Sequence, residues 1–176
     1  MMKRRNGIKI PNSCNAAVRF ALKRVQISYR HLDSLSKRLG SFLCDSNTRP
    51  NHRNDFEAEL AVVIGRKMRN VTPAAAARYI FGYTASQDIT DRTIQGSESQ
   101  FARSKSFDTF TPLGPYIETK IDPHDLSIQL FQNGQLRQNG NTSQMIFNCF
   151  HLVSFISTNM TLLPGDVILT GTPSGV

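Results

Sequence analysis

The sequence predicts a mainly β fold with a few short helices, of the α+β class. Three observations carry the prediction. Asp55–Gly65 alternates in the manner of a strand, with Phe56, Ala58, Leu60, Val62 and Ile64 on one face and Gly65 at its end. Asn133-Gly134 stands between two strand-like runs, the strongest short hairpin signal. Beyond residue 54 no regular strand–helix alternation appears, which sets aside a doubly wound α/β sheet. The chain has 176 residues, 39% of them hydrophobic, enough for one domain with an ordinary core.

The elements follow in order. Residues 1–54 show little sustained periodicity, and Ala16 to Leu43 has room for one or two short basic amphipathic helices. Arg49-Pro50-Asn51-His52 is a break, and the well-specified domain is expected over 55–176. Its first strand is Glu57–Ile64. Thr72 reads as the N-cap of a helix with Pro73 at its first position, running to Ile80 and ended by Gly82. Tyr83 to Thr90 reads as extended and delivers Asp88 near its end. Leu113 to Glu118 is a further strand, and Leu126 to Gln132 turns at Asn133-Gly134 into Gln135 to Gln138. Asn141 or Thr142 caps a helix from about Ser143 to Ser157, with Met145, Cys149, Leu152, Val153 and Ile156 at helical spacing. Leu163-Pro164-Gly165-Asp166 turns into a last strand, Val167 to Thr170.

Charge is unevenly placed. Residues 1–54 carry 12 Lys/Arg against Asp33 and Asp45, a net +10, so the remainder of this +8 chain carries −2. Three readings of the basic segment stand: a solvated leader, an organelle transit peptide, or a nucleic-acid arm. The last ranks lowest, because no aromatic residues interleave the basic ones. No apolar run reaches the ~20 residues of a membrane span. Cys14, Cys44 and Cys149 are an odd, widely spaced set without a Cys-x-x-Cys pair, which argues against a disulfide framework and a zinc site. A cytoplasmic protein is expected, or a mitochondrial one if the basic segment is a transit peptide. Neither a nucleic-acid nor a membrane partner is expected.

Glu57 and Glu59 lie at i and i+2 of a strand, so both carboxylates point to one side. They repel each other, and burying either alone is expensive. A solvated strand face is one reading. A divalent cation is the other, and oxygen-only ligands indicate Mg²⁺ or Mn²⁺, with Ca²⁺ a third choice. Three more polar clusters stand out: Asp88 to Gln95, Lys105 with its neighbours, and Thr170-Gly171-Thr172-Pro173. Asp88 would complete a facial metal site, and Lys105 and Arg92 would add positive charge for an anionic substrate. The plainer alternatives are a surface lysine at 105 and an ion pair of Arg92 with Asp91 or Asp88.

In this order, several stretches of the chain resemble the fumarylacetoacetate hydrolase family, over Asp55–Val176. They are Asp55-Phe56-Glu57-Ala58-Glu59-Leu60 through Gly65, Gly82-Tyr83-Thr84, Gln87-Asp88-Ile89-Thr90, Lys105-Ser106-Phe107-Asp108, Thr142-Ser143-Gln144-Met145-Ile146-Phe147, and Leu163-Pro164-Gly165-Asp166 through Thr172-Pro173-Ser174-Gly175-Val176. The resemblance is to the branch of acylpyruvases and hydroxyheptadienedioate isomerase-decarboxylases. It implies a mixed β-roll, a homodimer, and Glu57, Glu59 and Asp88 as ligands of Mg²⁺ or Mn²⁺. It implies that Lys105 stabilises a developing enolate, that Arg92 and Gln95 line the substrate end, and that Thr172 holds a substrate carboxylate. The expected activity is metal-dependent hydrolysis of a C–C bond in acylpyruvate-like or fumarylacetoacetate-like dicarbonyl acids. The alternatives are an isomerase or decarboxylase of the hydroxyheptadienedioate or oxaloacetate type, or an inactive truncated member.

The chain also departs from the family's pattern. Tyr29-Arg30-His31 resembles the lid that supplies a water-activating histidine, which makes His31 the candidate, but Ser34 stands where a glutamate is expected. Thr93 replaces a second acid. The family continues through further strands beyond the point matched by Val176, so the roll is expected to be incomplete, with exposed edges.

Overall fold

The structure, a computed structural model, describes the backbone of residues 16–21 and all of residues 51–176. It is mainly β. The strands among the described residues are β1 (Ala16–Ala21), β2 (Asn54–Asp55), β3 (Ala58–Ile64), β4 (Ile80–Gln87), β5 (Thr90–Asp91), β6 (Ser127–Gln132), β7 (Gln135–Asn141) and β8 (Val167–Leu169). The helices among the described residues are α1 (Pro73–Ala76), α2 (Arg92–Ser97), α3 (Ala102–Lys105) and α4 (Cys149–Asn159), with 3₁₀ turns at Ala77–Tyr79 and Thr142–Gln144.

The strands make three antiparallel sheets, in the orders β1-β6-β7, β2-β5 and β4-β3-β8. The last positions the site. Its central strand, β3, is buried along its whole length, because β4 and β8 flank it on either side. Leu60, Val62 and Ile64 face the main core with Tyr83, Leu126, Ile168 and, from α4, Cys149 and Val153. Burying side chains of this kind contributes about 1.5–3 kcal/mol each before the entropy of ordering them is subtracted. Ala58 packs instead with Ile128 and Leu130 of β6, with Phe56 alongside. The β3 strand therefore joins two cores, and its N-terminal end, which carries the glutamates, lies where they meet.

The β6–β7 hairpin turns at Asn133 and Gly134, both at positive φ (52° and 79°), as a two-residue hairpin turn requires. The strand readings at 57–64, 126–138 and 167–170 thus correspond to β3, β6–β7 and β8.

Other expectations are corrected. Ala16–Ala21 is a strand paired along β6, where a basic amphipathic helix had room. The fold therefore draws on chain upstream of residue 55. The remainder of the expected helical stretch, to Leu43, lies outside the described residues. Gly82 lies inside β4 and does not end a helix; a Cβ there would sit 2.6 Å from the Glu118 carbonyl oxygen, so the close approach of a second backbone explains the glycine. Leu113 to Glu118 makes only isolated bridges, Ser86 with Leu113 and Tyr83 with Glu118. The helix expected from Ser143 begins at Cys149, with Asn148 as its cap. Among the described residues no helix is long and apolar enough to cross a membrane.

Candidate metal centre

Glu57 immediately precedes β3 and Glu59 is its second residue. They lie at i and i+2, and both are buried, at 7% and 4% exposure. Asp88 follows the last residue of β4. Its backbone N–H donates to the Glu57 carbonyl at 2.9 Å, which extends the β3–β4 ladder one step and holds the third carboxylate beside the first two. One oxygen from each of Glu57, Glu59 and Asp88 lies within 4.8 Å of the others.

Lys105, the last residue of α3, enters this cluster. Its Nζ donates to Asp88 Oδ2 at 2.5 Å, to Glu57 Oε2 at 3.1 Å and to Thr90 Oγ1 at 3.0 Å. Burial works against its charge, but the hydrogen bonds to Asp88 and Glu57 outweigh that and hold the Lys105 pKa above the usual lysine range. The surface-lysine alternative is therefore set aside.

Arg92, first residue of α2, grips the other side. Its Nη2 donates to Glu57 Oε1 at 2.6 Å, its Nε to Asp55 Oδ2 at 3.0 Å, and its Nη1 to Gln95 Oε1 at 2.7 Å. The ion pair considered for Arg92 exists, but its partners are Asp55 and Glu57, not Asp91 or Asp88. Glu57 thus has a cation on each oxygen. Glu59 has none in hydrogen-bond contact among the described residues; its Oε2 accepts from the Gly171 backbone N–H at 2.6 Å. Burial, with the Asp88 and Glu57 charges adding to it, pushes the Glu59 carboxyl up to about 7.

This donor set fits a hard divalent cation. Its three ligand candidates are all carboxylates, and one of them lacks a countercharge in a site that disfavours its ionisation. A cation held by Glu57, Glu59 and Asp88 would supply that charge.

Thr172 lies close by, and its hydroxyl is already engaged. It donates to the Ala58 carbonyl at 2.9 Å and accepts from Gln138 Nε2 at 2.8 Å. His31 lies outside the described residues. Two contributors were missed in the sequence. Asp55 anchors Arg92. Asp91, fully buried, caps α2 by accepting from the Ile94 N–H at 3.0 Å and pairs with His52 Nδ1 at 2.6 Å. The signal for the cap was present, since Asp directly before a short helical segment is a preferred N-cap.

Residues 23–176 match the family described as fumarylacetoacetate (FAA) hydrolase C-terminal. A relative from Archaeoglobus fulgidus is 55% identical over 126 residues, covering 72% of this chain and 50% of that protein. Among solved structures, a 2-hydroxyhepta-2,4-diene-1,7-dioate isomerase from Mycobacterium marinum is 48% identical, with a TM-score of 0.70, over 71% of this chain and 50% of the other. A 5-carboxymethyl-2-hydroxymuconate delta-isomerase from Mycobacterium smegmatis is likewise 48% identical, with a TM-score of 0.69, over 69% and 49%. A fumarylacetoacetate hydrolase from Exiguobacterium antarcticum reaches 41% and 0.67, over 71% and 46%. The chain spans about half the length of these relatives. With the family match covering most of the chain, this protein belongs to the fumarylacetoacetate hydrolase family.

Proposed function

We propose that the chain acts in the divalent-metal-dependent breakdown of acylpyruvate-like or fumarylacetoacetate-like dicarbonyl acids, cleaving a C–C bond beside a carbonyl. The observation that carries this reading is the convergence of Glu57, Glu59 and Asp88 on one point, with Lys105 Nζ in contact with two of them. Glu57, Glu59 and Asp88 would hold Mg²⁺ or Mn²⁺, which when bound would polarise a substrate carbonyl as a Lewis acid.

The remaining work falls to the chain's own groups. Arg92 fixes the Glu57 carboxylate from the far side and ties it to Asp55, so Glu57 is oriented before anything binds. Lys105 is charged, partly buried and held against the carboxylate cluster, and would stabilise a developing enolate oxygen; donors used in this way are worth about 10²–10³ in rate. Gln95, held by Arg92, would line the substrate end, and Thr172 would hold a substrate carboxylate. Activation of water is assigned to His31. We place the enzyme in the cytoplasm as a homodimer.

An isomerase of the same family is the second reading, favoured by the likeness to two isomerases at 48% identity. Both readings share the carboxylates and Lys105 and differ in product.

Purified chain incubated with acetylpyruvate, oxaloacetate and a hydroxyheptadienedioate in Mn²⁺ decides. Metal-dependent consumption that falls at least about 10²-fold in Lys105→Met is the expected result. Acetate and pyruvate as products establish hydrolysis, and a shifted double bond establishes isomerisation. Turnover that survives chelation, or that is untouched by Lys105→Met, would sink the proposal.

A further inference from the structure

Gln138 lies on β7, far in sequence from every metal-ligand candidate, and is fully buried. Its side-chain amide makes three hydrogen bonds. Oε1 accepts from the Ala58 backbone N–H at 2.9 Å, and Nε2 donates to Thr172 Oγ1 at 2.8 Å and to the Pro173 carbonyl at 2.8 Å. The Thr172 hydroxyl in turn donates to the Ala58 carbonyl at 2.9 Å. Ala58 is the residue between Glu57 and Glu59. Both of its backbone polar groups are therefore held by side chains, one from β7 and one from the C-terminal loop.

The same two segments are pressed together beyond the hydrogen bonds. Gly140 faces Pro173 so closely that a Cβ there would stand 2.7 Å from the proline Cβ. The loop 170–173 also returns to β3 through the Thr170 N–H and hydroxyl, both donating to the Leu60 carbonyl, and through the Gly171 N–H on Glu59. The carboxylate strand is thus gripped on three consecutive residues, Ala58, Glu59 and Leu60, by a loop that Gln138 bonds at Thr172 and Pro173.

We propose that Gln138 is a positioning residue of the carboxylate site. It couples Thr172 and the C-terminal loop to the peptide between the two glutamates, and so sets how Glu57 and Glu59 present their oxygens to a cation. The proposal rests on the metal reading above. A buried amide is suited to this task because it offers an acceptor and two donors in one rigid plane, and loss of one of these bonds leaves a buried polar group without its partner. Placement matters because a hard cation tolerates little error in the angle at which carboxylates meet it, Mg²⁺ least of all.

The experiment titrates the full chain with Mn²⁺ alone and reads bound ion by its electron paramagnetic resonance. Each variant is studied well below its own unfolding midpoint. The parent chain binds Mn²⁺, and Glu59→Gln weakens binding sharply; failure of either would overturn the metal reading without reference to Gln138. Gln138→Met, similar in volume but without the amide, weakens Mn²⁺ binding by at least about tenfold in the folded state and broadens the bound-ion spectrum. Thr172→Val removes only the hydroxyl and shifts affinity and spectrum in the same direction. It also carries the test alone if Gln138→Met does not fold. The two effects fall short of additive when combined, because both act through Ala58. If both variants lower the midpoint while affinity and spectrum match the parent's, Gln138 merely holds the fold together and the proposal is wrong.

Discussion

Glu59 is 4% exposed, and among the described residues its one hydrogen bond comes from the Gly171 N–H. Burial raises its carboxyl from 4.5 to about 7, so in the metal-free protein it stays protonated over a range where the unfolded chain would release the proton. The folded state then binds more protons than the unfolded state between those two values. Stability associated with this group is complete below pH 4.5 and is lost as pH rises toward 7, by on the order of 3 kcal/mol. Asp55 and Asp91 are shifted the other way: burial opposes both, and hydrogen bonds from Arg53 and Arg92, and from Ile94 and His52, override it, so they act only at more acid pH. Glu59→Gln keeps an acceptor for Gly171 and removes the ionisation. Urea unfolding of the metal-free pair across pH 5 to 8 should therefore show the parent losing stability relative to Glu59→Gln as pH rises. Parallel curves would mean that the carboxyl titrates near its ordinary value.

At the scale of elements, α2 depends on Asp91. The helix is six residues long and holds β-branched Thr93 and Ile94 and flexible Gly96, so its intrinsic preference is weak. A buried cap that also pairs with His52 compensates. Asp91→Ala removes the cap and leaves the Ile94 N–H and His52 without their partner, at a cost of about 2–3 kcal/mol in denaturant unfolding. Asp91→Asn retains an acceptor and should cost clearly less. Equal losses would place the effect in packing and not in the cap. Weak local preference is also why α2 and α3 were illegible in the sequence: tertiary contacts form them, Arg92 through Asp55 and Glu57 and Lys105 through Asp88. Where periodicity and burial agreed, as in β3 and the β6–β7 hairpin, the strands could be read directly. The start of α4 was misread because two asparagines offer caps. Asn141 caps only the 3₁₀ turn Thr142–Gln144, since Met145 is extended at ψ 134°, and Asn148 caps the helix itself. Gln138 escaped notice because a polar residue in an edge-like hairpin strand reads as solvent-facing, and its partners, Ala58 and the loop at 172–173, are distant in sequence.

Across the whole molecule the carboxylate site gathers chain from distant places: the start of β3, the end of β4, the end of α3, the start of α2 and the loop after β8. The charges that meet there repel in the metal-free state except where Lys105 and Arg92 intervene. A cation binding this cluster would join β3 to the β4–β5 segment, and it would bind only where those segments are already folded together. Ligation of that kind adds stability in proportion to RT ln(1 + [ion]/Kd), about 2.7 kcal/mol at a hundredfold excess over Kd. For a chain of this size that amounts to a rise of roughly 5–10 °C in the unfolding midpoint. Millimolar Mn²⁺ or Mg²⁺ should therefore raise the midpoint of the parent chain, and the double variant Glu57→Ala, Glu59→Ala should show no response. The same variant without metal should be stabilised less than simple removal of repulsion suggests, because Arg92 and Lys105 both lose Glu57 as a partner. A midpoint indifferent to either ion in the parent chain would mean that the three carboxylates meet to hold Lys105 and Arg92 in place and not to bind a cation.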